Sequence, residues 1–176
     1  MDLSRSRGGR AFDEARFLAA CGLAVRGARE GYGFSRETLA DRSGVSVAAI
    51  GAMERGERAL SVTAHTRLLL ALGCMRVALS DEGPAFSIGG GAAPADSLLA
   101  LPAATIVSYV GQAIQGRRQA LGLSLEEVGR LAGFHRNTVW NIEQGLVLSG
   151  GMTLYRIYLA MDVAGLEPSD DGLRLC

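Results

Sequence analysis

From Asp13 to Glu30, apolar side chains recur at three- and four-residue intervals: Phe17, Leu18, Cys21, Val25 and Ala28 mark one face of an amphipathic helix. Gly31 and Gly33 close it. Ser35, with Phe34 before it and Thr38 three residues on, is placed to cap a second helix over Arg36–Ser43. Gly44 breaks the chain, Ser46 caps a third helix running to about Arg55, and Gly56 stops it. A weaker fourth helix is predicted between Val62 and Leu72, set off by a turn around Ala59–Ser61. Beyond it Met75–Leu79 alternates loosely, Asp81-Glu82-Gly83-Pro84 reads as a turn, and Ala85–Ile88 reads as a returning strand or, alternatively, an irregular tail.

The same plan then recurs. Glu54-Arg55-Gly56 returns as Glu143-Gln144-Gly145, an offset of 89 residues from Glu54 to Glu143. The offset also carries Ser35 to Ser124, Glu37 to Glu126, Gly44 to Gly133, Val25 to Ile114, Arg29 to Arg118 and Ala71 to Ala160. Ser80-Asp81-Glu82-Gly83 falls on Ser169-Asp170-Asp171-Gly172. So constant an offset means no net insertion, and duplication is its origin. In the second copy, helices are predicted over Ala103–Leu121, after a Ser124/Glu127 capping box, over His135–Gln144 and over Thr153–Val163; Leu166–Leu175 is the counterpart of the strand pair. The expected organisation is a flexible basic arm at 1–11, a first domain at 12–88, a Gly/Ala/Pro linker at 89–100 and a second domain at 101–176. Each domain reads as five short helices, so the fold class is all-α with room for a short C-terminal hairpin in each half. The Gly89-Gly90-Gly91 run lacks the strand and Lys-Ser/Thr of a phosphate loop.

Composition adds limits. Aromatic residues make up 6% of the chain against 48% hydrophobic, which favours Ala/Leu/Val-rich helical packing. No apolar run approaches the roughly 20 residues of a membrane span. Asp13 and Glu14, not an apolar stretch, follow Arg5, Arg7 and Arg10, so no secretory signal is expected and the reading is a cytoplasmic, nucleoid-associated protein without membrane contact. The formal net charge is zero, which counts against a simple nucleic-acid binder, although distribution matters more than the sum. All 18 basic residues are arginine. That is a mark of a GC-rich genome or, functionally, a supply of forked donors for phosphates and guanines. Cys21, Cys74 and Cys176 have no metal or disulfide spacing; the first two read as core residues. His65 and His135 are the only histidines and neither sits in a ligand pattern. No catalytic set, metal site or cofactor is expected.

Two helices joined by a tight turn, the second exposed, form a unit that fits a major groove. The geometry needs a small residue on the first of these helices (Ala40, Gly129), a turn glycine (Gly44, Gly133) and an apolar plug (Val45, Phe134). It also needs apolar anchors on the second helix: Ile50 and Met53, or Val139 and Ile142. The pattern Ser35-x3-Leu39-Ala40-x3-Gly44-Val45-Ser46-x3-Ile50-x2-Met53-Glu54-x-Gly56 resembles the Cro/phage-repressor family, also called the XRE helix-turn-helix family. So does Ser124-x3-Val128-Gly129-x3-Gly133-Phe134-His135-x3-Val139-x2-Ile142-Glu143-x-Gly145. The departures are Gly129 where the family has Ala, His65 where it has an apolar residue, and Trp140, bulky for a groove-facing helix.

The resemblance implies two lambda-repressor-like units and a sequence-specific regulator of transcription on double-stranded DNA, with a repressor favoured over an activator. It places base-reading positions at Val47, Ala48 and Ala52 in the first unit and at Arg136, Asn137 and Asn141 in the second, with His135 and Thr138 beside them. Arg136 suits guanine and the asparagines suit adenine. Ser35, Arg36, Ser46, Arg55 and Arg58 in the first unit, and Ser124 in the second, fall at backbone-contact positions. The resemblance also pairs Arg29 with Glu54 and Arg118 with Glu143 as architecture. The first unit, with no long polar side chain on its third helix, reads DNA through backbone and shape or else serves in pairing. The competing function is a protein-interaction module, antitoxin-like or partner-capturing, with weak DNA binding; a homodimer fits either reading.

Overall fold

The computed structural model describes residues 14–80, 83–88, 99–146, 150–163, 166–169 and 172–175. The first half holds α1 (Glu14–Gly31), α2 (Arg36–Ser43), α3 (Val47–Glu54) and α4 (Val62–Ala71), followed by β1 (Cys74–Ser80) and β2 (Gly83–Ile88). The second holds α5 (Ala103–Ala120), α6 (Leu125–Ala132), α7 (Arg136–Glu143) and α8 (Gly151–Ala160), followed by β3 (Leu166–Ser169) and β4 (Gly172–Leu175). Helix lengths match pairwise at 18, 8, 8 and 10 residues. Every helix starts 89 residues after its counterpart, as Glu14 and Ala103 show for the first pair.

Local chemistry sets the helix starts. The Ser35, Ser46 and Ser61 hydroxyls accept the N–H groups of Thr38, Ala49 and Ala64 at the heads of α2, α3 and α4. Each such cap contributes about 1 kcal/mol. Ser124 and Glu127 form a reciprocal capping box on α6. α8 begins at Gly151, two residues before the predicted Thr153, and its Gly150 N-cap has no side chain to offer. Four helices per half stand among the described residues where the sequence predicts five. Gly73, at φ 62, ends the first helical run, and the chain turns into β1, which pairs antiparallel with β2. β3 pairs likewise with β4.

The core is continuous across the two halves. Val25, Leu39, Ile50, Leu68 and Leu72 from the first and Ile114, Val128, Val139, Ile157 and Met161 from the second are all but inaccessible to solvent. They belong to one cluster. Between the halves, Gly151 N–H donates to the Leu60 carbonyl at 2.7 Å and Ser61 forms an antiparallel bridge with Gly150. The Arg67 guanidinium donates to the Leu101 carbonyl at 2.8 Å, and the Phe17 and Tyr155 rings meet edge to face at 5.0 Å. The basic arm at 1–11, Cys176 and linker residues 89–98 lie outside the described residues. Among the described residues no helix is long and apolar enough to cross a membrane.

Candidate nucleic-acid interface

The α2–α3 corner is built around Gly44. Its left-handed φ of 67°, which a side chain resists, lets its N–H reach the Ala40 carbonyl at 2.8 Å. The Ser43 hydroxyl donates to the Leu39 carbonyl and accepts the Val45 N–H, satisfying buried polar groups inside the turn. Val45 plugs the corner, and Ile50 and Met53 bury the inner face of α3. The α6–α7 corner repeats this with Gly133 at φ 74°. There the plug is Phe134, with the Arg156 guanidinium 4.6 Å over its ring. Gly129 is explained by space, since a Cβ there would stand 2.7 Å from the Phe134 carbonyl oxygen.

Each exposed helix is held from behind by the same clamp. Arg29 Nε donates to Glu54 Oε1 at 2.6 Å while its Nη1 donates to the Phe34 carbonyl at 2.8 Å. Arg118 does the same with Glu143 at 2.6 Å and the Leu123 carbonyl at 3.0 Å. One arginine thus ties the first helix, the loop before the second and the end of the third together. Burial pushes the Glu54 carboxyl up, but the hydrogen bonds from Arg29 and Arg36 outweigh it and hold the group below its ordinary value. The same partnership raises Arg29 and Arg118.

Close packing behind these helices depends on two glycines that sequence reasoning missed. A Cβ on Gly22 of α1 would lie 2.4 Å from the Met53 carbonyl oxygen, and one on Gly111 of α5 would lie 2.5 Å from that of Ile142. Both pairs are backbone against backbone, so only glycine lets the first helix reach the end of the third. The signal was present: a mid-helix glycine at the same register in both copies, 22 and 111.

The predicted reading positions lie on the outer faces. Val47 and Ala48 are exposed at the start of α3 and Ala52 is half-buried one turn on. On α7, Arg136 and Asn137 are exposed, Thr138 and Asn141 half-buried, and Trp140 exposed beside them. His135 is the N-cap of α7, where its Nδ1 accepts the Asn137 N–H at 3.2 Å. Ser35, Ser46 and Ser124 are likewise N-caps, exposed at helix starts whose free N–H groups favour anions. Two of the predicted backbone-contact arginines have carboxylate partners within the chain. Arg36 Nε donates to Glu54 Oε2 at 2.8 Å, so Arg36 is a second support for that carboxylate. Arg55 forks onto exposed Glu57 at 2.5 and 2.9 Å. Arg58 is exposed.

His65, the departure from the apolar pattern in α4, is buried between the halves. Its ring is hydrogen-bonded by the Tyr155 hydroxyl and meets the Tyr155 ring edge to face at 5.0 Å. Burial alone lowers the imidazole to about 4. Cys21, also buried, touches the same hydroxyl, and burial pushes its thiol up to about 12, so it is an inert core group.

Residues 25–74 match the model of a family described as Helix-turn-helix. The match covers the end of α1, the α2–α3 corner with its clamp, and α4. Units of this kind bind DNA in transcription regulators. No curated protein and no solved structure matches the chain.

Proposed function

We propose that this chain, whose residues 25–74 form a helix-turn-helix unit, is a sequence-specific DNA-binding regulator of transcription that reads bases mainly through α7 of a second unit. The observation that carries the reading is the chemistry at the head of α7. Exposed Arg136 and Asn137, with Asn141 one turn on, stand on a helix held by the same corner and clamp as α3. A guanidinium fork matches the two acceptors of guanine in the major groove, and a carboxamide matches the donor–acceptor pair of adenine. α3, with Val47, Ala48 and Ala52, has methyl groups for thymine and capped helix starts for phosphates but few groups for base edges. The natural outcome of such binding at a promoter is occlusion, hence repression. The reading assigns the chain no catalytic role and no cofactor. A chain acting on the chromosome would reside in the cytoplasm.

The test is duplex binding at rising salt by the full chain and by Arg136→Ala. The native chain should lose affinity steeply with salt, as phosphate contacts require, and prefer a defined sequence. Arg136→Ala should lose about 1–3 kcal/mol of preference for its best site over random duplex while keeping its fold. Retained preference would move base reading away from α7. A second reading, a partner-binding module with weak DNA affinity, is favoured by the zero net charge and by exposed Val47 and Trp140 on the two outer helices. No sequence preference, with little duplex affinity left at near-physiological salt, would select it.

A further inference from the structure

The contacts between the halves join like to like. Ser61 and Gly150, which form the antiparallel bridge, are themselves counterparts at the 89-residue offset. α4 packs against its own counterpart α8, and β1 against its counterpart β3. Two further contacts form a reciprocal pair. α4 packs on α5, with Arg67 of α4 donating to the Leu101 carbonyl just before that helix. In turn α8 meets α1 through Tyr155 and Phe17. Copies related by translation along a line put unlike surfaces together; only a twofold axis makes a patch meet itself. The axis therefore passes beside the Ser61–Gly150 bridge and relates α3 to α7.

We infer that the single chain is a built-in dimer for an inverted, unequal pair of DNA half-sites. This rests on the DNA-binding reading above and adds the form of the site. A twofold-related pair of helices meets half-sites in inverted orientation, as operator palindromy mirrors protein symmetry in two-chain binders. Here the two readers differ. The half-site under α7 is specified through Arg136, Asn137 and Asn141. Its inverted partner under α3 is read only through the methyl-sized surface of Val47, Ala48 and Ala52 and through the backbone. The face that a separate subunit would use is already covered by the other half, so one chain suffices for one site.

The experiment is enrichment of random duplexes on the full chain, with the mass of the resulting complex measured in solution. The expected result is one well-defined element and one degenerate, thymine-tolerant element in inverted orientation, with one chain per duplex. Adding half a duplex turn, about five base pairs, between the elements should lower affinity about tenfold or more. A triple variant, Val47→Arg, Ala48→Asn and Ala52→Asn, gives α3 the side-chain types that α7 carries at the corresponding positions. It should convert the recovered sequence into a symmetric palindrome. A direct repeat, a lone element indifferent to spacing, two chains per site, or an unchanged motif from the triple variant would each overturn the inference while leaving DNA binding intact. Absence of any enrichment by folded protein would overturn the DNA-binding reading itself, and this inference with it.

Discussion

His65 sits where an apolar residue would cost nothing, and its neutral ring is kept that way by burial, which lowers it from 6.5 to about 4. Because the folded value lies below the unfolded one, the unfolded chain takes up a proton that the native chain refuses. This contribution to stability is complete above pH 6.5, and falls as pH drops toward 4. The loss across that window is about 3 kcal/mol. Urea titrations at pH 7, 5.5 and 4.5 should show it, and His65→Gln should flatten the curve; an unchanged slope would remove His65 as the cause. Glu54 acts in a lower window. Its carboxyl is held below the ordinary 4.5, so its contribution is present above that value and is lost only as pH falls through the lower folded value. Glu54→Gln leaves buried Arg29 without its carboxylate and should cost about 3 kcal/mol by chemical denaturation at neutral pH. Of these residues, the Arg29–Glu54 and Arg118–Glu143 pairs were legible in the sequence through the resemblance. The partners of Arg36, Arg55 and His65 were not, because each is chosen by which side chain lies nearest in space.

At the scale of elements, α1 and α5 each carry two interior glycines with opposite meanings. Gly22 and Gly111 face backbone at distances no Cβ tolerates, while Gly27 and Gly116 have nothing within 4 Å. Gly22→Ala or Gly111→Ala should destabilise by about 1–3 kcal/mol, since neither facing backbone has a side-chain rotamer to change. Gly27→Ala or Gly116→Ala should stabilise by about 0.5–1 kcal/mol, the ordinary helix preference. Thermal unfolding followed by circular dichroism separates the two classes, and equal effects at both would refute the close approach. Composition cannot tell these glycines apart. The caps at Ser35, Ser46, Ser61 and Ser124 are readable because a cap joins residues only three positions apart. Gly150 has no side chain to cap α8, and the start of that helix is held instead by the bridge to Ser61 and by the Gly151 N–H donated to the Leu60 carbonyl, which is why α8 begins earlier than its own residues predict.

At the scale of the molecule, a core shared by both halves predicts joint unfolding. The single tryptophan, Trp140, reports on the second half, whereas helical circular dichroism reports on both. The two signals should give coincident denaturant transitions. Two separated transitions would mean that the halves are independent and that the contacts around Tyr155 and His65 contribute little.

The sequence by itself determined the first three helices of each half and their caps, the repeat at a fixed offset, the corner glycines and the unlike chemistry of α3 and α7. These depend on residues a few positions apart or on a comparison of the two copies with each other, whereas the clamp arginines, 25 positions from their glutamates, were legible only through the family resemblance. Only the tertiary structure decided how the copies face one another. A repeat in sequence is equally compatible with translation and with a twofold axis, and the choice lies in contacts between residues about 89 positions apart, Ser61 with Gly150 and His65 with Tyr155. It also decided which arginines are engaged within the chain, since a side chain's partner is set by distance in space and not by distance along the backbone.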